Sequence, residues 1–331
     1  MNKVNIEEEF LRALQNRGMK KSDLLKKVSE VLRIEKESAS RRLSGRVQFT
    51  LREIGLLAKE MNLSLDALIY KQDSFQWTPI AYQMPMSFSS MDDLSNMINY
   101  NLHHVAQTIQ GPSESGSVIH ALPVEFCMHN PVLLKFIFFK WGYYFIGTKE
   151  YYNYSTWTLP YELLNIKNKI QPILDNLVHR SYLWDDSLIS RTVNEVENFY
   201  KMGIINAADK NTIGEELKNL LNNIELNIRG SQDSTRNDLG ITTFYASMIS
   251  IGITCTYYSS NEKNCTAFQT DFLASGFNDG YENFLKTKNW IHSLRNISTL
   301  LSGSGHLERR LFFETQQKIV DNILIHATTE N

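Results

Sequence analysis

The segment from Ile34 to Arg46 holds the polar residues whose types and spacing have the clearest chemistry. It reads IEKESASRRLSGR, and in a helix four of its side chains would share one face: Lys36, Glu37, Ser40 and Arg41. A guanidinium such as that of Arg41 donates two parallel hydrogen bonds, and a carboxylate such as that of Glu37 accepts hydrogen bonds from an amino group. We therefore expect this face to recognise a partner by its hydrogen-bonding groups.

An apolar stripe with helical spacing precedes this segment and predicts a helix that packs behind it. Its members are Leu24, Leu25, Val28, Val31 and Leu32. Ser22 suits the amino-terminal cap of that helix, and Asp23 complements its positive end. Ala39 and Leu43 stand four residues apart and are the expected inward positions of the next, short helix.

Further helices on both sides predict a small helical domain. Thr50 and Glu53 have the spacing of a capping box, and an apolar stripe over residues 54–61 predicts the helix that this box begins. A first helix is predicted over residues 6–14, and a last short helix runs from Ser64 through Ile69. These helices are expected to position the short polar helix between them.

Positive charge is concentrated at this end of the chain. Residues 1–70 carry 14 Lys+Arg against 10 Asp+Glu, although the whole chain has a net charge of -2. Residues 12–46 alone carry 11 basic and 4 acidic residues. Such asymmetry is expected where a domain meets a polyanion, and the alternative is a solvated helical surface.

The string from Asp23 to Ile69 resembles the helix-turn-helix of Cro/repressor-type regulators, with a recognition segment similar to that of Lac-repressor-type regulators. "SASRRLSG" is similar to the Lac-type "TVSRVLNG", and the later "FTLREIGLLAKEMNLSLDALI" is similar to the Cro/repressor continuation. Val28, Leu32 and Ile34 fall where those families pack the first helix and its turn. The resemblance covers residues 22–69 only, and it implies a sequence-specific, DNA-binding transcription regulator.

Three residues depart from the pattern of these families. Arg33 occupies a turn position that is often glycine, and Glu35 is a poorer cap than serine. Arg42 occupies a position that is often aliphatic. We expect Arg33 to adopt the turn at some cost in strain, and Arg42 to run its stem over the core with its guanidinium toward a phosphate.

The resemblance assigns base contacts and phosphate contacts to different residues. The expected base-facing residues are Lys36, Glu37, Ser40 and Arg41, of which Arg41 suits guanine and Glu37 suits the amino group of cytosine. The residues expected to contact phosphates, and so to set register and affinity, are Ser22, Lys26, Arg42, Arg46 and Thr50.

The remaining reactive residue types predict no catalytic centre, no metal site and no cofactor. Cys127, Cys255 and Cys265 show neither metal-ligand spacing nor a disulfide framework. His120 and His129 lie nine residues apart, and the other histidines are scattered. The expected protein is not an enzyme.

The ends and apolar runs of the chain predict no membrane contact. The amino terminus, MNKVNIEEEF, lacks the apolar core of a signal peptide. No apolar stretch approaches the roughly 18 residues that a membrane-spanning helix needs without polar interruption. Because the three cysteines also fit a reducing compartment, we expect a cytoplasmic protein.

The predicted fold is an all-α helix-turn-helix domain at residues 1–71, a connection at 72–83, and a mostly helical α+β domain with a small antiparallel sheet at 84–331. Division of this larger domain into two subdomains near 230–240 is left open. The segment GPSESGS after Gln110 predicts a polar loop, and enrichment in Thr, Ile and Tyr over 241–272 suits an antiparallel hairpin. The apolar run over 132–144 fits either a helix or a strand.

Aromatic residues are dense between positions 136 and 157. We favour a packed core or a subunit interface over an apolar ligand pocket as their role. The residues are Phe136, Phe138, Phe139, Trp141, Tyr143, Tyr144, Phe145, Tyr151, Tyr152, Tyr154 and Trp157.

The sequence therefore predicts a homodimeric transcription regulator that binds double-stranded DNA and whose carboxy-terminal domain dimerises, senses a small-molecule or protein effector, or does both. Two other interpretations stay open. The first is an enzyme that the amino-terminal helices bring to nucleic acid. The second is a protein-interaction scaffold, which Glu30, Glu35 and Glu37 on or near the polar face favour.

Overall fold

The computed structural model describes residues 6–15, 19–61, 63, 65, 68, 81–83, 88–120, 122–185, 187–230, 241–269 and 275–325. The chain divides into two compact units: Met1–Ala81 with Asn278–Asn283, here unit 1, and Tyr82–Phe277 with Phe284–Asn331, here unit 2. Three predictions fall largely outside the described residues. They are the connection at 72–83, the ends of the helix from Ser64 through Ile69, and the possible boundary between two subdomains near 230–240.

The described helices of unit 1 are α1 (Ile6–Gln15), α2 (Lys21–Leu32), α3 (Lys36–Leu43) and α4 (Leu51–Glu60). The predicted capping box is confirmed, because the Glu53 N–H donates to the Thr50 hydroxyl and the Thr50 N–H donates to the Glu53 carboxylate. The predicted cap at Ser22 is wrong. The cap position of α2 belongs to Lys20, and the Ser22 hydroxyl instead donates to Asp23 at 3.3 Å.

Unit 1 has an apolar core of its own. Each fully buried Leu or Phe side chain contributes roughly 1.5–3 kcal/mol, so this core is sufficient reason for the four helices to pack. The Phe10 and Phe49 rings meet edge to face at 5.8 Å. The buried residues are Phe10, Leu14, Leu24, Val28, Ala39, Phe49, Ile54, Leu57, Ala58, Met61 and Leu68.

The helices of the remaining chain are α5 (Met91–Thr108), α6 (Val124–Cys127), α7 (Pro131–Phe145), α8 (Tyr161–Leu164), α9 (Lys167–Asn176), α10 (Ser187–Lys201), α11 (Ala207–Gly230), α12 (Tyr281–Asn296) and α13 (His306–Val320). The apolar run over 132–144 is helical. The Asn130 side chain accepts the N–H groups of Val132 and Leu133, and Pro131 suits the first turn.

The strands are β1 (Ala81–Gln83), β2 (Ser113–Ile119), β3 (Leu177–Asp185), β4 (Ile241–Ser247), β5 (Thr254–Ser259), β6 (Asn264–Gln269), β7 (Ser275–Asn278) and β8 (Thr299–Leu300). They form one eight-stranded sheet in the order β1-β7-β6-β5-β2-β3-β4-β8. β3 is parallel to both β2 and β4, whereas β5 is antiparallel to β2 and β6.

This sheet corrects the predicted fold class. The expected small antiparallel sheet is wrong, because the sheet is large and mixed, with parallel strands at its centre. A parallel pair needs a crossover connection, and the segments holding α6–α9 and α10–α11 supply the two crossovers. The predicted hairpin is present as β5 and β6, while β4, in the same stretch of sequence, joins β3 in parallel.

The predicted polar loop GPSESGS is also wrong, since most of it forms the central strand β2. Ser113, Ser115 and Ser117 are buried in this strand although they are polar. A Cβ atom at Gly116 would overlap the ring of Tyr257, so glycine is required there. The strand lacks the apolar alternation that identifies strands in a sequence, because hydroxyl groups and a glycine occupy its buried positions.

Apolar residues cover the sheet of unit 2 on both faces. On one face, α7, α10, α11 and α13 pack against Tyr182, Trp184 and Phe244. On the other face, Phe284 and Ile291 of α12 cover Val118 and Leu183 together with residues of β5. Most of the dense aromatic residues between 136 and 157 belong to the first of these clusters, as the core interpretation expects. No helix within the described ranges has the length and apolar character needed to cross a bilayer.

Candidate functional site

The polar face of α3 is the best candidate for a binding surface in unit 1. Ala39 is fully buried and fixes the inner side of α3. All four residues predicted to face bases lie on the opposite, exposed side of the helix: Lys36, Glu37, Ser40 and Arg41. The structure therefore brings these side chains together on one surface, which we call the α3 face.

A tight turn of three residues sets the orientation of α3 after α2. Arg33 takes left-handed backbone angles, with φ 54° and ψ 46°. The Ile34 N–H donates to the Ser29 carbonyl at 3.1 Å, which closes a Schellman motif, and the Ser29 hydroxyl donates to the Ile34 carbonyl at 2.6 Å. The small residue at position 29 thus ties the turn to the helix before it.

Arg41 already has a partner on its own helix. Its guanidinium donates to the Glu37 carboxylate at 2.6 Å, and the two side chains are 58% and 77% exposed. An ion pair as exposed as this contributes about 0.3–0.5 kcal/mol, so either group can exchange its partner at little cost. The pair can therefore present a guanidinium and a carboxylate together to a ligand.

Arg42 is held inside unit 1. Its guanidinium contacts the Glu53 carboxylate at 3.0 Å, and the two side chains are only 19% and 16% exposed. Burial alone would raise the pKa of Glu53, but hydrogen bonds from Thr50 and Arg42 lower the pKa below its usual value. The Arg42 side chain is mostly buried, and its charge links α3 to the cap of α4. We assign it a positioning role.

The other residues expected to contact phosphates lie on the surface. Ser22, Lys26, Arg46 and Thr50 are all exposed. Lys26 approaches Glu30 at 3.9 Å, a weak contact, and the Thr50 oxygen accepts the Glu53 N–H. Gly45, with φ 74°, ends α3 and turns the chain so that Arg46 follows directly after the α3 face.

Several exposed cations of unit 1 form no ion pair within the described ranges. Lys36 and Arg46 belong to the sets predicted from the sequence. The sequence assigned no contact to the others, although the count of basic residues over 12–46 included them. Those within residues 12–46 are Lys20, Lys21, Arg33, Lys36 and Arg46, and Arg52 and Lys59 are exposed further along unit 1.

Comparisons with known proteins give no relative: no protein-family model matches the chain, and neither a curated protein nor a solved structure matches it significantly.

Proposed function

We propose that this chain is a sequence-specific regulator that binds double-stranded DNA through the α3 face. The observation that carries the proposal is the arrangement of α3 itself. A short polar helix is anchored by Ala39, follows a three-residue turn, and shows Lys36, Ser40 and Arg41 outward. A helix of this kind fits the major groove, where a guanidinium can donate to both acceptors of guanine.

Further exposed cations of unit 1 support the proposal. Lys20, Lys21, Arg33 and Arg46 are available for phosphates, each of which releases counterions when it is neutralised. Arg42 is left out of the phosphate contacts, because Glu53 already holds its charge. The proposal assigns no catalysis and no cofactor to the chain, and it places the protein in the cytoplasm.

A dimer is part of the proposal for a geometric reason. One recognition helix reads only a few base pairs, whereas two such helices placed about 34 Å apart read two half-sites and double the phosphate contacts. Unit 2 would hold the two recognition helices at this spacing. The second candidate function is a protein-interaction scaffold. The observation that favours it is the exposure of the acidic residues Glu35 and Glu37.

Selection of bound sequences from a pool of random duplexes tests the proposal. With the full-length protein we expect a palindromic motif, and we expect its loss in the double variant Lys36→Ala and Arg41→Ala. The matched control is Lys59→Ala with Lys318→Ala, which removes the same charge from exposed positions away from the α3 face. Enrichment that is unchanged in the first variant would contradict the assignment of the α3 face.

Salt separates DNA binding from a protein interface. Affinity that depends on phosphate contacts falls steeply as salt rises, whereas a packed protein interface changes much less. Well-folded full-length protein that enriches no duplex would instead favour the interaction scaffold.

A further inference from the structure

Unit 2 contains a partly open cavity of about 270 Å³, which we call the interior cavity. It lies between the face of the sheet formed by β2, β5 and β6 and the helices α5, α7, α9 and α10. Its volume is close to the lower end of the range of small-molecule pockets, roughly 300 Å³. The cavity therefore suits a ligand of about one ring with a short side chain.

The helical side of the interior cavity is apolar and rich in aromatic rings. Such a lining favours the apolar body of a ligand, and its rings also attract a cation. Representative lining residues are Ile98, Leu102, Phe136, Trp141 and Ile170.

The sheet side of the interior cavity is polar, and its hydroxyl groups are already ordered. Ser117 and Thr256 stand directly opposite each other on β2 and β5, and the Thr256 hydroxyl donates to the Ser117 oxygen at 2.9 Å. The Thr254 hydroxyl oxygen accepts the His120 N–H at 3.1 Å. Burial, with the added effect of the Glu125 charge, raises the pKa of Tyr258, so its phenol stays protonated.

The cations that line the interior cavity have partners in the protein. Lys140 contacts the Glu195 carboxylate at 2.7 Å, with 17% of the lysine side chain exposed. The Arg191 guanidinium lies 3.2 Å from Nδ1 of His120. A ligand anion would therefore have to compete with groups that these cations already contact.

Two hydrogen-bond acceptors in the lining of the interior cavity indicate the chemistry of its ligand. Glu125 lines the cavity; its carboxylate accepts a hydrogen bond from its own backbone N–H and is influenced by the Arg180 charge, but it forms no ion pair with any residue in the described ranges. Asn101 donates its side-chain N–H to Ser275 at 3.3 Å, while its Oδ1 is enclosed and has no hydrogen-bond partner within those ranges. Leaving an enclosed acceptor such as Asn101 Oδ1 unmatched costs about 1–3 kcal/mol. A ligand that brings N–H donors would remove this cost.

We propose that the interior cavity binds a small organic cation, a protonated amine whose N–H groups donate to the Glu125 carboxylate while its apolar body packs against α5 and α7. The amine supplies the ion pair that Glu125 lacks in the protein, and Asn101 Oδ1 is a further acceptor in the lining. Apolar burial supplies the remaining affinity. Binding here does not depend on the proposed function, because every group that forms the site belongs to unit 2.

Three probes of equal body and different polar group test this proposal on the full-length protein without DNA: phenethylamine, phenethyl alcohol and phenylacetate. Affinities are measured by calorimetry, with thermal shift as a second readout. A hydrogen bond to a charged group contributes about 1.5–3 kcal/mol, so we expect the amine to bind at least about 10-fold more tightly than the alcohol. We expect phenylacetate to bind most weakly.

The variant Glu125→Gln assigns the preference to this carboxyl group. We expect it to reduce the difference between amine and alcohol to about twofold, while Glu162→Gln at an exposed position of α8 leaves the preference intact. Equal binding of the three probes, preference for phenylacetate, or no binding of any probe by the native protein would overturn the proposal, and none of these outcomes needs a variant to fold. An amine preference that persists in a folded Glu125→Gln protein would overturn it as well.

Discussion

Glu125 is a half-buried carboxyl group at the interior cavity, so its ionisation affects stability as well as ligand binding. Burial raises its pKa above the ordinary value, against the opposing effects of a backbone hydrogen bond and the Arg180 charge. A raised pKa in the folded state means that the neutral acid favours folding. This contribution is fully present below the ordinary glutamate pKa of about 4.3, and it is lost as pH rises through the raised value.

We therefore predict that Glu125→Gln stabilises the protein at and above neutral pH. The neutral amide has no charge to desolvate, so its thermal midpoint should exceed that of the native protein; the difference should shrink as pH falls through the raised pKa of Glu125 and should be smallest below about 4.3. Thermal unfolding over a pH series measures this, with Glu162→Gln as the exposed control. A Gln variant that is less stable than the native protein at neutral pH would show that Glu125 stabilises the fold.

Arg42 shows how much of a residue's role can be predicted from its position alone. The resemblance leads us to expect that its stem covers the core, because the position is often aliphatic, and the side chain is only 19% exposed. The partner of its charge was not predicted, because Glu53 lies eleven residues away and is also the second member of the capping box. The same carboxylate holds Thr50 and Arg42, and only the packing of α3 against α4 brings these groups together.

At the scale of elements, the two turns that flank α3 form a natural comparison. The turn before α3 has Arg33 in left-handed conformation at φ 54°, and the turn after it has Gly45 at φ 74°. Both close Schellman motifs. A residue with a Cβ atom costs roughly 1–2 kcal/mol in this conformation, whereas glycine adopts it freely.

We predict that Arg33→Gly stabilises unit 1 by about 0.5–1 kcal/mol and that Gly45→Ala destabilises it by about 1 kcal/mol. The gain at position 33 is reduced because glycine also gains freedom in the unfolded chain. A Cβ atom at Gly45 would lie 4.0 Å from Leu11, an ordinary contact, so the expected loss comes from the backbone alone. Hydrogen exchange of the α2 and α3 amides in the full chain measures both changes.

Arg33→Ala is the matched control for the charge. It removes the guanidinium but keeps a Cβ atom in the left-handed turn, so we expect it to leave most of the strain in place. Equal stabilisation by Ala and Gly would assign the effect to the arginine charge and would contradict the backbone explanation.

The elements that could be predicted are those defined by local signals. The predicted helices of unit 1 that lie within the described residues are present. They could be predicted because an apolar stripe, such as that of Leu24 and Val28, is visible within a few residues of sequence. Strand β2 could not be predicted, since its buried Ser115 and Ser117 form contacts with strands that are distant in sequence. Ser117 also lines the interior cavity. A buried polar residue that keeps this strand from being recognised in the sequence therefore borders the proposed ligand site.

For the whole molecule, the distribution of charge and the separate core of unit 1 suggest that the two units have different functions. Residues 1–70 have a net charge of +4, from 14 basic and 10 acidic residues, and the rest of the chain has -6. The basic part contains the α3 face, and the acidic part contains the interior cavity. If unit 2 dimerises, each DNA site binds two basic parts instead of one. The salt dependence of DNA binding then measures how many basic parts are bound.

We predict that a fragment of residues 1–81 folds but binds the selected duplex more weakly than the full chain does. Unit 1 buries Phe10, Leu57 and Ala39 in a core of its own, so circular dichroism of the fragment should show helix. The logarithm of affinity falls with the logarithm of salt in proportion to the phosphates neutralised, by about 0.9 for each. A dimer doubles that number, so the slope for the full chain should be about twice the slope for the fragment. Equal affinity and equal slopes for the two proteins would contradict the dimer and leave unit 2 with no part in holding the recognition helices on DNA.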